Sequence, residues 1–199
     1  MRTRIAADLH DDIGANLSLI ALSSEVARRD AEEVPQLADR LSSIAGISRD
    51  LIDSMSDIVW AVNPNKDRAG DLSQRMRLFA SNILSRPERR VRFQAELDRE
   101  DHKLDANLRR EVLMVFKEAV NNAARHSQCT QVDIGFKVGS GWLTLSVSDN
   151  GKGFDEDHPG DGNGLANMGK RAGNLGGELQ VTSRSGEGAT ITLRIPITR

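Results

Sequence analysis

The residue best placed to do chemistry is His10, in the run Asp8-Leu9-His10-Asp11-Asp12-Ile13-Gly14. Apolar residues around it, Ile5, Leu9, Ile13, Leu17 and Ile20, recur in steps of three and four, so the segment reads as a helix with one buried stripe. Leu9 and Ile13 lie on that stripe, which puts His10 one position round, toward the outside. Asp11 beside it can accept the Nδ1 proton, and a ring held that way offers its Nε2 lone pair as a nucleophile. The neighbouring acid also favours the imidazolium and should raise the pKa of His10, enlarging the inert fraction at low pH. Taken alone, a histidine among acids is more often a solvated side chain.

Three clusters downstream change its meaning. In Phe116-Lys117-Glu118-Ala119-Val120-Asn121-Asn122-Ala123-Ala124-Arg125-His126, helical spacing stacks Glu118, Asn122 and either Arg125 or His126 on one face. The amide oxygen of Asn122 suits Mg²⁺, a hard cation that keeps most of its waters and takes few protein ligands. Arg125 and His126 can balance phosphate charge. Paired asparagines are poor helix formers, so their presence asks for a compensating use. In Asp149-Asn150-Gly151-Lys152-Gly153-Phe154, a carboxylate closes an alternating strand, where it can accept a hydrogen bond from an adenine amine. Gly151 and Gly153 permit close backbone approach to a flat base, although Asn-Gly is also an ordinary turn pair. In Gly162-Asn163-Gly164-Leu165-Ala166-Asn167-Met168, a glycine pair opens a helix whose free N–H groups could bind phosphate. A lone G-x-G is weak evidence.

The elements that must hold these residues fall into two textures. Residues 1–62 show helical periodicity and no strand signal. The second run there is Leu37, Leu41, Ile44, Ile47, Leu51, Met55, Ile58 and Val62. Between the two runs, Arg29 to Gln36 is polar and holds Pro35, which breaks a helix or sits in its first turn. A helical hairpin cannot enclose a core alone, so two of them forming a four-helix bundle is the expected solution, and with it a homodimer. Asn63-Pro64-Asn65 stops the second helix, and Asn63 to Gly70 reads as a linker.

The remainder alternates: a helix over 72–84, a strand over 91–97, and a long helix over 104–126. Paired strands over 131–138 and 142–148 flank the turn Gly139-Ser140-Gly141. A helix over 165–175 follows the glycine-rich stretch, and strands over 178–183 and 190–197 meet at Ser185-Gly186-Glu187-Gly188. The chain is therefore expected to be multidomain, α + α/β. Residues 1–66 would form a dimerising hairpin and residues 67–199 an α/β sandwich.

Bulk numbers narrow the function. With 27 basic and 29 acidic residues, net −2, the 199-residue chain has no basic excess with which to neutralise nucleic-acid phosphates. The single cysteine, Cys129, excludes an internal disulfide and suits a reducing compartment. No apolar run approaches the roughly 18 residues a membrane span needs. The expectation is a cytoplasmic chain, tied to a membrane only through an upstream region absent from it.

Together these runs resemble the sensor histidine kinases of two-component systems, over essentially the full length. Asp8 to Gly14 resembles the phosphoacceptor box of the subclass in which an acid directly follows the histidine. Glu118 to His126 resembles the asparagine box, Asp149 to Phe154 the first glycine box, and Gly162 to Leu165 the second. Ser56-Asp57-Ile58-Val59-Trp60-Ala61-Val62-Asn63-Pro64 resembles the end of the second bundle helix. The resemblance implies a Bergerat-type ATP-binding domain behind a dimerisation and phosphotransfer bundle. It implies that His10 accepts the phosphoryl group, with Asp11 as the base that orients it, and that Glu118 acts near the γ-phosphate. Asn122 would ligate Mg²⁺ and Asp149 would read adenine. Gly151, Gly153, Gly162, Gly164 and Leu165 would frame ATP and a short lid, and Arg125 and His126 would neighbour its phosphates. The phosphoryl group would pass on to an aspartate in the receiver domain of a response regulator.

Two positions depart from the family pattern. Ala15 stands where members that also act as phosphatases often carry glutamine. Ala189 stands where threonine is common, with Thr190 following as the expected substitute contact to adenine. Two alternatives belong beside this reading: a Bergerat-type protein serine kinase, and a dimeric scaffold that binds nucleotide without turnover.

Overall fold

Pro35 decides where the first helix pair turns. It occupies the first turn of α2 (Pro35–Val62), where its missing N–H is one that a helix leaves unbonded anyway. α1 (Arg2–Asp30) precedes it, and α2 stops before Pro64, which disfavours helical geometry at Asn63. The computed structural model describes residues 2–31, 34–98, 102–154 and 163–197, the side chains of residues 2–12 excepted. The chain divides into two compact units, Met1–Lys66 and Asp67–Arg199. Among the described residues, no helix is long and apolar enough to cross a membrane.

In the first unit the buried positions of α1 are small ones. Gly14, Ala21, Ser24 and Ala31 are buried, in steps of seven, three and seven that follow one helical seam. On α2, Ala45 and Ser48 are buried in the same spacing. The large apolar residues are not. Ile13, Ile20, Ile44 and Leu51 are each more than two-fifths exposed, and Ile47 is 61% exposed. The expectation that Ile13 and Ile20 lie on a buried stripe therefore fails within a single chain. Periodicity marks an apolar face, but one hairpin has no second surface against which to bury it. Ile5, Leu9, His10 and Asp11 fall in α1, with side chains outside the described residues.

A short 3₁₀ turn, Pro64–Lys66, closes this unit. The expected linker is shorter than its sequence suggested. Arg68 already bridges Lys103, Ala69 N donates to His102 O, Leu104 N donates to Asp67 O, and Ala69 is fully buried. Residues 67–70 belong to the second unit.

That unit is a two-layer sandwich. α3 (Ala69–Ile83) and α4 (Ala106–Arg125) precede and follow β1 (Arg90–Leu97). β2 (Gln131–Gly139) and β3 (Trp142–Asp149) form a hairpin whose turn residues Ser140 and Gly141 both have positive φ, the combination a two-residue turn of right-handed strand twist requires. α5 (Gly164–Asn174), β4 (Glu178–Arg184) and β5 (Gly188–Pro196) complete it. The sheet runs β1-β2-β3-β5-β4, with β1 parallel to β2 and the other neighbours antiparallel.

Strand alternation explains the core. Val132, Ile134, Phe136 and Val138 of β2, Leu143, Leu145 and Val147 of β3, and Ile191, Leu193 and Ile195 of β5 are buried on one face. The helices cover that face. α4 supplies Val112, Leu113, Phe116 and Val120, α3 Leu72 and Met76, and α5 Met168. Phe79 of α3 packs edge-on to Phe116 at 6.1 Å. α4 starts at Asp105, whose Oδ1 accepts a hydrogen bond from Leu108 N at 2.9 Å, an N-cap worth roughly 1 kcal/mol.

Candidate functional site

The site is built where the end of β3, the last turns of α4 and the start of α5 converge. Asp149 is the last residue of β3 and continues the inward series Leu143, Leu145, Val147, so alternation turns its carboxylate toward the helical layer. Burial pushes its pKa up, while hydrogen bonds from the Gly151 and Ala189 backbones and the charge of Arg89 oppose that rise. Oδ1 accepts the Gly151 N–H at 2.8 Å. A half-buried carboxylate at a strand end, only partly satisfied by its own chain, is suited to accept a further donor.

Glu118 and Asn122 lie one turn apart on α4, both half-buried. Glu118 abuts α5, since a Cβ placed on Gly164 would collide with Glu118 Oε1. The structure thus brings the asparagine-bearing helix and the second glycine cluster together. Leu165, next on α5, is half-buried. Arg125 and His126 at the end of α4 are exposed. Gly162 lies outside the described residues. The Asn122 amide oxygen is a hard donor of the kind that Mg²⁺ takes alongside phosphate oxygens and water, so Asn122 is the residue that could hold it. Among the described residues no group of three or more His, Cys, Asp or Glu could hold a metal ion.

Gly151 and Gly153 are used differently from the expectation that they admit a base. Their loop is threaded between two other segments of the chain. Lys152 N donates to Ser127 O at 2.8 Å, Gly186 N donates to Lys152 O at 2.7 Å, and Phe154 N donates to Ser183 Oγ at 2.8 Å. A Cβ on Gly151 would strike the Ser127 carbonyl, and one on Gly153, which has φ +58°, would strike Arg184 O. Their first requirement is therefore the chain's own packing.

Thr190 departs from expectation outright. β3 and β5 pair Asp149 with Ala189 and Ser148 with Thr190. Thr190 Oγ1 lies 2.7 Å from Ser148 Oγ, on the face opposite the inward series that ends in Asp149. Its hydroxyl is therefore turned away from the Asp149 carboxylate, and the inward position belongs to Ala189.

Sequence reasoning missed four supports. Asn150 Oδ1 accepts from Thr130 N at 3.0 Å and Gln131 N at 2.8 Å, pinning the loop to the start of β2. Ser127 Oγ donates to Ala123 O at 2.6 Å and accepts from Cys129 N at 3.1 Å, closing α4. Ser183 Oγ donates to Gly188 O at 3.1 Å while holding Phe154 N. Glu111, buried on α4, pairs with Arg171 of α5 and with Arg110, which fixes α5 against α4. A glutamate seven residues before Glu118, and so on the same face of that helix, was the one available signal.

Comparison with known proteins places this geometry. Residues 2–67 match the family model described as histidine kinase. Residues 107–199 match the histidine kinase-, DNA gyrase B- and HSP90-like ATPase model. The sensor histidine kinase LiaS of Bacillus subtilis (strain 168) is 25% identical over 198 residues, 98% of this chain and 54% of that protein. The oxygen sensor histidine kinase NreB of Staphylococcus carnosus (strain TM300) is 27% identical, over 99% of this chain and 56% of that protein. The chain thus spans about half the length of the curated relatives it matches. Among solved structures, the histidine kinase domain of the Erythrobacter litoralis EL346 blue-light activated histidine kinase matches with TM-score 0.59 at 18% identity, covering 98% of this chain and 94% of that one. The Acinetobacter baumannii histidine kinase AdeS matches with TM-score 0.57 at 17% identity, covering 90% and 96%. At these identities the structural likeness establishes the fold alone.

Proposed function

We propose that this chain, which matches a histidine kinase model over residues 2–67 and a histidine kinase-like ATPase model over residues 107–199, transfers the γ-phosphoryl group of ATP to His10 and then to an aspartate of a receiver domain. The observation that carries this reading is that one unit holds Asp149 at the end of β3 and seats Glu118, one turn from Asn122, against the Gly164 helix start, while the unit that precedes it in sequence bears His10. Asp149 would accept the adenine amine, Asn122 would hold Mg²⁺, and His126 and the α5 N-terminus would face the phosphates, whereas Arg125 lines a pocket with Arg86 and Arg89. Bound there, Mg²⁺ supplies charge neutralisation at the phosphate oxygens.

The protein's own part is positioning. Asp11 holds the His10 ring with Nε2 unprotonated. An N–P bond forms from Nε2 as the bond between the γ-phosphorus and its bridging oxygen breaks, releasing ADP. Positive charge gathering on the ring is offset by Asp11.

The exposed apolar residues of the hairpin support the dimer. Ile13, Ile20, Ile44, Ile47, Leu51 and Ile58 suit burial against a second copy in a four-helix bundle. Leu19, Leu22 and Val26, also exposed, lie on another side of α1. Leu19 is about 160° round the helix from Leu17 at roughly 100° per residue. That face would stay outside the bundle, C-terminal to His10, and we assign it to receiver docking. Ala15 leaves phosphatase activity without support. The reading puts the reaction in the cytoplasm, where response regulators reside.

Incubation with Mg-ATP tests the whole. The expected product is a phosphoryl label that is acid-labile and alkali-stable, and absent from Asp149→Asn. An acid-stable, alkali-labile label would instead identify a serine kinase, and ATP bound without ADP release a scaffold. Leu22→Arg should keep the label and slow its transfer to a receiver domain by at least about tenfold, the scale of one disrupted interface anchor.

A further inference from the structure

A pocket of about 470 Å³ opens on the second unit, lined by Ile83, Arg86, Arg89, Asn121, Ala124, Arg125 and Gln128. It is not the nucleotide cleft. Asn121 and Ala124 lie roughly 100° and 160° round α4 from Asn122. They continue the stripe of Lys117, whose Nζ sits 4.7 Å over the Phe79 ring of α3. The pocket is therefore on the α3 side of α4, whereas Glu118 meets α5 on the other.

Its chemistry is cationic. Three of the lining residues are arginines, and none is an acid. A turn closed by Arg89 N donating to Arg86 O at 3.0 Å, with Pro87 in the second position that suits it, brings Arg86 and Arg89 to the same rim. Arg89 Nε and Nη2 reach Cys129 O at 3.4 Å and Ala124 O at 3.5 Å, which are long bonds. Its Nη1 is buried with no hydrogen-bond partner, an arrangement that costs free energy unless something satisfies it. Gln128, on the opposite rim, is held at φ +56°, a conformation that is strained for a side-chain-bearing residue and that collects at binding sites. The carbonyl end of a helix repels anions, but Arg89 already covers two of the carbonyls there. Capping accounts for part of Arg89. It leaves Arg86, the free Nη1 and the strained Gln128 without a use.

We propose that this pocket is a second anion site that binds a compact phosphorylated ligand of the diphosphate class. Three guanidiniums match the charge of a diphosphate, and the exposed Arg86 and Arg125 can each engage its oxygens in pairs. A single carboxylate would leave them under-neutralised. The volume falls in the range of small-ligand sites, and the absence of an aromatic residue from the lining leaves no stacking surface for a base.

Calorimetric titration of the full chain with inorganic pyrophosphate tests this, in EDTA and at constant ionic strength. One equivalent should bind, and equally to Asn122→Ala. Arg86→Gln, an exposed rim residue, should bind at least tenfold more weakly with an unchanged melting temperature. Arg89→Gln should weaken it further. Loss of binding in Asn122→Ala with none in Arg86→Gln would place the anion in the nucleotide cleft and overturn the proposal. So would the absence of saturable heat, or citrate binding as tightly as pyrophosphate.

Discussion

The hairpin and the α/β unit spend their apolar residues in opposite ways. In the second unit Leu72, Met76, Leu113, Phe116 and Leu193 are wholly buried, whereas in the hairpin Leu19 is 62% exposed and the buried positions among the described residues are, Asp57 apart, glycine, alanine and serine. A sheet with helices on one face closes its own core. Two helices close only a line of contact, and large side chains are left for whatever comes next. Self-sufficiency sits in the part assigned to ATP, and dependence on partners in the part assigned to the phosphoryl group.

The comparison is most severely tested by charging the hairpin face. Ile47→Glu with Leu51→Glu should weaken dimerisation by a factor of a thousand or more, since each buried charge costs several kcal/mol. Sedimentation equilibrium would read that loss, and nucleotide affinity of the same variant should hold. A dimer that survives would place the interface elsewhere.

Next in size is Gly188→Ala. Gly188 has φ +84° and its Cβ would collide with Asp149 O, so the variant should lose roughly 2–4 kcal/mol in the second unit. Chemical denaturation would measure it, with hairpin dimerisation unchanged. Equal loss in both units would mean that they fold as one.

Asp149 carries a pH signature. Its pKa is raised in the folded chain, chiefly by burial. Between its ordinary and raised values the folded chain holds a proton that the unfolded chain has lost, so stability falls as pH rises through that window. Nucleotide affinity should move the other way, weakening as pH falls through the raised value and the acceptor is protonated. Asp149→Asn should abolish both slopes, and melting temperatures across pH 3–7 (approximate bounds chosen to span the carboxylate range) would show it. The smallest effect belongs to Thr190→Val, which should change ATP affinity by less than about twofold while costing about 1 kcal/mol of stability through the lost Ser148 bond. A tenfold loss of ATP affinity would return the hydroxyl to the site.

Much of this was legible in the residues. Steps of three and four marked the helices, Pro35 the turn between two of them, and the four motifs fell on one helix N-terminal to the core and three elements within it. What was not legible depends on partners remote in sequence. The apolar period of α2 is the same whether its stripe meets α1 or another chain, so exposure at Ile44 and Ile47 could not be read from it. Thr190 is a different case: Ile191, Leu193 and Ile195 alternate inward, so the parity that turns Thr190 outward was present in the sequence and the family resemblance overrode it. Asn150 and Ser127 are polar residues outside the helices and strands whose long-range bonds, Thr130 N to Asn150 Oδ1 and Lys152 N to Ser127 O, join segments remote in sequence. Arg89 gave no signal in a run of basic residues, since only the fold sets it against the end of α4.

The central claim is that the self-contained unit phosphorylates the dependent one at His10. Labelling His10→Gln with radioactive Mg-ATP beside the parent chain tests it most directly. The account predicts an acid-labile label on the parent and none on the variant, with nucleotide affinity equal in both. A variant that labels as fully as the parent would contradict it.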